Sequence, residues 1–134
     1  MDAKEYLKQA KYLDMQIHAK LRQLEPLKEL LLIAGGADGT VTKMAALQEE
    51  INREIDALAD LKREIMHLIA RVSKPEYRVL LELRYLRCWP WEKISGNMHC
   101  SKVHIFRIQK RALEEVDQLL KEGRQKTAEE AAAV

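Results

Sequence analysis

Met44, Ile51, Leu58, Ile65 and Val72 stand seven residues apart, with Leu47, Leu61 and Leu68 in the interleaved positions. Seven residues are close to two turns of an α-helix, so four such heptads place their apolar side chains on one stripe of a helix. Only Glu54 interrupts that seam. Upstream, Leu7, Ala10, Leu13, Ile17, Leu21, Leu24, Leu27 and Leu31 recur three or four apart, which predicts another helix from Asp2 to about Ile33. Pro26 is expected to kink or split it, because proline lacks the backbone donor and clashes with the preceding turn. AGGADGT, residues 34–40, holds three of the five glycines and reads as a turn. Thr42 is the expected N-cap of the helix that follows. Residues 1–72 are thus predicted to form a long antiparallel helical hairpin, coiled-coil-like, with its turn at about 34–41. Packing of the two helices on each other accounts for the stripe; a stripe that also joins two copies as a homodimer is the alternative.

Residues 73–122 read as a separate small domain. Ser73 with Glu76 fits a capping box and Pro75 fits a first helical turn, so a helix starts here and runs to about Arg87. CWPWEK turns into a short helix ending near Met98, and Ser101 caps a last helix reaching about Glu122. Gly123 is expected to close it. Residues 123–134 have no apolar period and are expected to be a flexible tail. The fold class predicted is therefore all-α: a helical hairpin followed by a small helical domain.

The chemistry concentrates near the end. In a chain of net charge +2, Lys93, Lys102, Arg107, Lys110 and Arg111 fall within residues 93–113 with no acidic residue among them, so the rest of the chain sums to −3. At 100° per residue, Ile105, Ile108 and Ala112 share one face of the last helix. Val103, Arg107 and Lys110 share the opposite face, flanked by His104, Phe106 and Arg111. A short helix, a tight turn and a second helix that is apolar behind and basic in front describe a helix-turn-helix. The front of such a helix lies in the DNA major groove, where arginine reaches guanine and apolar atoms touch the thymine methyl. Ser101 and Lys102, beside the helix N-terminus, suit phosphate. The candidate DNA-binding residues are Ser101, Lys102, Val103, His104, Phe106, Arg107, Lys110 and Arg111.

PEYRVLLELRYL followed by WEKISGNMHCSKVHIFRIQKRALEEV resembles region 4 of bacterial sigma factors, over about 45 residues. The chain as a whole is similar to a family of short phage and prophage proteins of Gram-positive bacteria, through AKEYLKQAKYLD and EINREIDALADLKREI. The resemblance implies a helical hairpin joined to a sigma-region-4-like helix-turn-helix, a role in transcriptional regulation, and no chemistry of its own. It implies base-reading positions at Lys102, Val103 and Arg107, with His104, Phe106 and Lys110 near them. Val103 stands where sigma factors usually carry an acidic residue and Phe106 where they usually carry a basic one, which implies a target unlike an ordinary promoter element. His99 replaces the glycine often found in the turn, and a non-glycine residue tolerates φ > 0 poorly.

Other readings are weaker. Cys88, His99, Cys100 and His104 invite a zinc reading, since Cys100 and His104 lie one turn apart, but structural zinc sites usually have two close ligand pairs and Cys88 is alone on its side. Trp89 and Trp91 are expected to pack between helices in preference to forming a partner-binding knob. Glu49, Glu50, Glu54, Asp56 and Asp60 alternate with Arg53, Lys62 and Arg63 as on a solvated helix surface. No phosphate loop, nucleophile elbow or metal-protease motif occurs, so neither an enzyme nor a cofactor is expected. The longest apolar run, Leu30 to Ala34, is far below the roughly 20 residues that span a bilayer. The charged start lacks a signal core, and a cytoplasmic protein without a membrane partner is expected. The function expected is sequence-specific binding of double-stranded DNA in transcriptional regulation, with RNA polymerase as a further partner. The alternatives are a protein that holds polymerase or a sigma factor without reading DNA, and a phage packaging protein that recognises genome ends.

Overall fold

The structure, a computed structural model, describes residues 1–36 and 39–132. Among them there is no strand; the chain is helical throughout, as α1 (Ala3–Ala34), α2 (Thr40–Ala70), α3 (Pro75–Leu81), α4 (Trp91–Met98) and α5 (Lys102–Ala132). Widened π-helical turns, Glu82–Leu86, continue α3. No helix of the described residues is long and apolar enough to cross a membrane.

Two compact units are present: Met1–Gln9 with Lys62–Val134, and Ala10–Leu61. The units divide within α1 and α2, whereas the helix break at residues 72 and 73 lies inside the first unit. The start of α1 belongs there because α5 satisfies it. Asp117 accepts the orphan N–H of Ala3 at 2.6 Å, and Arg124 donates to the Met1 carbonyl at 2.9 Å. Asp2 caps the same turn by accepting from Glu5 N–H at 2.8 Å. Ala3, Leu7, Ile65, Ile69 and Val72 are buried in this unit with Leu80, Leu81, Ile94, Ile105 and Val116.

In the unit Ala10–Leu61, Ile17, Leu24, Ile51 and Leu58 are buried, which is the stripe expected from the heptads. Glu54, the break in that stripe, is hydrogen-bonded to Lys20 of α1, and Glu50 lies 3.8 Å from the same ammonium. Those carboxylates hold the Lys20 ammonium above its ordinary pKa, the Glu54 hydrogen bond contributing most. Pro26 does not split α1. Both Pro26 and Arg22, whose carbonyl would have met the missing N–H, are exposed, so water can take that carbonyl.

The expected turn overlaps residues 37 and 38, which lie outside the described residues. Its flanking glycines, Gly35, Gly36 and Gly39, all have φ between 67° and 85°. A Cβ on Gly36 would come within 2.9 Å of Val41 Cγ2, so glycine is needed there for space as well as for conformation. Helix α2 begins at Thr40 and Lys43 N–H already bonds to the Gly39 carbonyl at 3.2 Å, so Thr42 sits in the first turn and is not the cap.

Two further local expectations give way to tertiary contacts. Ser73 makes no capping box with Glu76. The N-cap of α3 is Lys74, and Ser73 instead donates from its N–H and hydroxyl to Glu115 of α5, at 2.5 and 3.1 Å. Gly123 does not end α5, which continues to Ala132. Its neighbour Arg124 is held by Met1, and Thr127 donates to the Gly123 carbonyl at 2.9 Å.

Candidate nucleic-acid interface

Helix α4 is short because both ends are fixed locally. Pro90 is its N-cap, and the Pro90 carbonyl accepts from the N–H groups of Lys93 and Ile94. At the other end His99 takes a left-handed conformation, φ 55° and ψ 40°. The N–H groups of His99 and Cys100 both close on the Ser95 carbonyl, and the Ser95 hydroxyl donates to the Cys100 carbonyl. Histidine is among the non-glycine residues that enter this region more readily, so the turn keeps φ > 0 without glycine. Cys88 makes a comparable left-handed break before α4, at φ 56°. The Cys100 thiol donates to the Met98 carbonyl at 3.2 Å, and Cys88 is exposed.

Ser101 then starts α5, accepting from His104 N–H through its hydroxyl at 3.2 Å. Ile105, Ile108, Ala112 and Val116 are buried on the inner side of the helix. Ser101, Lys102, Val103, His104, Phe106, Arg107, Lys110 and Arg111 are all exposed, Val103 to 66% and Phe106 to 47%. The structure thus brings all eight candidate residues onto the outer side of the start of α5, where the first acidic side chain is Glu114.

Helix α5 is held in this rotation by polar contacts as well as apolar ones. Gln109 donates to the Tyr85 hydroxyl at 3.0 Å, and burial raises the Tyr85 phenol above its ordinary pKa. Arg78 donates to the carbonyls of Val72 and Ser73, at 2.6 and 3.1 Å, and so fixes the segment that Glu115 grips.

The two flanks of the face differ. On one, Phe106 meets Trp91 edge to face at 5.3 Å, the Arg84 guanidinium lies 4.4 Å over the Trp91 ring, and Lys102 is ion-paired with Glu92 at 2.9 Å. The Lys102 hydrogen bond holds the Glu92 carboxyl below its ordinary pKa. Trp89 and Trp91 are half-buried, Lys93 lying 4.0 Å over the Trp89 ring. On the other flank His104, Arg107 and Arg111 line a hollow together with Lys74, Glu76, Tyr77 and Ile108. Lys74, Tyr77, Trp91 and Glu92 border the face without having been expected there. Helical spacing orders side chains around one helix but carries no record of which neighbour lies beside it.

The chain belongs to a family described as a protein of unknown function (DUF1492), whose profile matches residues 33–117. That span contains α4 and all eight candidate residues. No curated protein and no solved structure matches the chain.

Proposed function

We propose that α3 to α5 form a helix-turn-helix domain of the sigma-region-4 type, and that the protein binds double-stranded DNA sequence-specifically to regulate transcription. The observation that carries this reading is the outer side of α5. Eight exposed residues, none of them acidic, stand over a row of buried aliphatic side chains on a helix entered through a left-handed turn. A helix with this polarity fits the major groove, front to the bases and back to its own domain. Val103 offers a methyl-bearing surface to thymine and Arg107 a fork of donors to guanine. Ser101, Lys102, Lys110 and Arg111 supply phosphate contacts that position the helix, and His104 and Phe106 border the bases read.

The resemblance to short phage and prophage proteins supports a regulator of that origin. In this reading α1 and α2 form the helical hairpin and serve as an arm. Tyr12, Met15 and Ile55, exposed apolar side chains of the unit Ala10–Leu61, favour a second copy as the occupant. A homodimer would engage two half-sites about 34–36 Å apart. RNA polymerase is the other partner that a region-4-type domain would serve.

The test is enrichment of bound sequences from random duplex DNA by the full-length protein, followed by recruitment of bacterial RNA polymerase to the enriched duplex. A defined motif is expected, and recruitment identifies polymerase as the partner. Equal affinity for all sequences at physiological salt contradicts the regulator reading.

A further inference from the structure

The hollow beside α5 collects positive charge from two separate elements. His104, Arg107 and Arg111 reach it from α5, where their spacing of three and four residues puts them in one row. Lys74 reaches it from the N-cap of α3, with its ammonium 5.4 Å over the Tyr77 ring. That cation–π contact keeps the ammonium close to the ring at the edge of the hollow. Tyr77 and Ile108, both buried, form the floor from which these exposed side chains rise. Among the described residues Lys74, Arg107 and Arg111 form no ion pair, although Glu76 also lines the hollow. Counting lysine, arginine and glutamate alone, the hollow carries an excess of two positive charges. The space is about 160 Å³.

Such an arrangement suits an anion. Cations drawn together from two elements repel one another, and a single tetrahedral oxyanion accepting from all of them relieves that repulsion through charge-assisted hydrogen bonds. The site also lies where a phosphate would be. A helix in the major groove turns its two sides toward the two phosphate backbones that border the groove. The Lys102 side is already neutralised by Glu92, and the Arg111 side is open.

We infer that this hollow is a phosphodiester seat, in which Lys74, Arg107 and Arg111 converge on one phosphate of the DNA strand bordering the groove. The inference rests on the DNA-binding reading of α5 and adds Lys74, at the N-cap of α3, to the contact surface. Arg107 stands at the boundary, shared between the seat and the base-reading front. Glu76 tempers the seat, and its removal should strengthen phosphate binding.

The experiment measures duplex affinity of the full-length chain against salt concentration for the wild type, Lys74→Gln, Glu76→Gln and, as a control, Lys121→Gln. Lys74 and Glu76 are exposed, so both substitutions leave the fold intact. Lys74→Gln should weaken enriched and unrelated duplexes alike by several-fold, and should flatten the slope of log affinity against log salt by about 0.9, the loss of one phosphate contact. Glu76→Gln should tighten both duplexes, and Lys121→Gln should change neither. A scan of duplexes each carrying one neutral methylphosphonate should find one position that costs the wild type several-fold and Lys74→Gln nothing more. A Lys74→Gln slope equal to the wild-type slope, or no methylphosphonate position coupled to Lys74, overturns the seat and leaves the reading of α5 standing. A wild-type chain that binds no duplex overturns both.

Discussion

Lys102, the first residue of α5, is ion-paired with Glu92 of α4 at 2.9 Å across the left-handed turn at His99. The pair ties together the two helices that the turn joins, and it occupies the amine that the DNA-binding reading gives to phosphate. On that reading, DNA must displace Glu92 to gain Lys102.

Glu92→Gln is predicted to raise duplex affinity a few-fold at low salt, and Lys102→Gln should cost more in that background than in the wild type. Fluorescence anisotropy on the four proteins of the cycle measures the coupling. The Glu92 carboxyl is held below its ordinary value of 4.5 by Lys102, so the pair is fully formed above that value and is lost as pH falls through the lowered one. Its contribution should therefore be complete and independent of pH between pH 6 and 8. Carboxyl-carbon NMR of Glu92 should titrate below 4.5 in the wild type and return toward 4.5 in Lys102→Gln.

His99 sits at φ 55° without being glycine. His99→Gly should leave stability unchanged or raise it by up to about 1 kcal/mol, since the relief of left-handed strain outweighs the added chain entropy. His99→Val should cost about 1–2 kcal/mol, because a β-branched residue is least tolerant of this region. Urea denaturation of the three proteins checks the order.

Ile105 and Val103 are two residues apart on α5 and opposite in burial: Ile105 is fully buried and Val103 is 66% exposed. Ile105→Ala should cost about 2–5 kcal/mol in urea denaturation, the range for truncating a core side chain. Val103→Ala should change stability by less than about 0.5 kcal/mol. Equal costs would mean that α5 is rotated from its described orientation.

These faces were legible in the sequence because a helical period is local. The heptad positions Ile51, Leu58, Ile65 and Val72 are buried, and Met44, Leu47, Leu61 and Leu68 are half-buried. The rotation of α5 follows from the same property, so Ile105, Ile108 and Ala112 face inward and the eight basic-face residues outward. What periodicity leaves out is the partner. Lys20 answers Glu54 from 34 residues away, and Lys74 lines one hollow with Arg107 and Arg111 only because α3 and α5 pack together. Where a local rule met a tertiary competitor, the competitor prevailed: Ser73 is bonded to Glu115 in place of Glu76.

Glu54 breaks an otherwise apolar seam, and its Oε2 is buried without a hydrogen-bond partner. Lys20→Met should lower the melting temperature modestly, because it removes the Lys20 hydrogen bond from a carboxylate whose Oε2 is already buried without a partner. Glu54→Leu together with Lys20→Met should restore or exceed the wild-type value, since an apolar pair of similar size carries no desolvation cost. Differential scanning calorimetry of the single and double variants decides it.

If the outer side of α5 reads base edges, Val103 is the residue at which that reading shows most sharply. Selection from random duplex DNA should be run in parallel with the full-length wild type and Val103→Glu, at the same salt concentration. A carboxylate accepts from the cytosine amino group, whereas the valine methyls favour the thymine methyl. Two motifs are expected that differ at one base position per half-site, thymine in the first giving way to cytosine in the second. Identical motifs from the two proteins, or no motif from either, would contradict that reading.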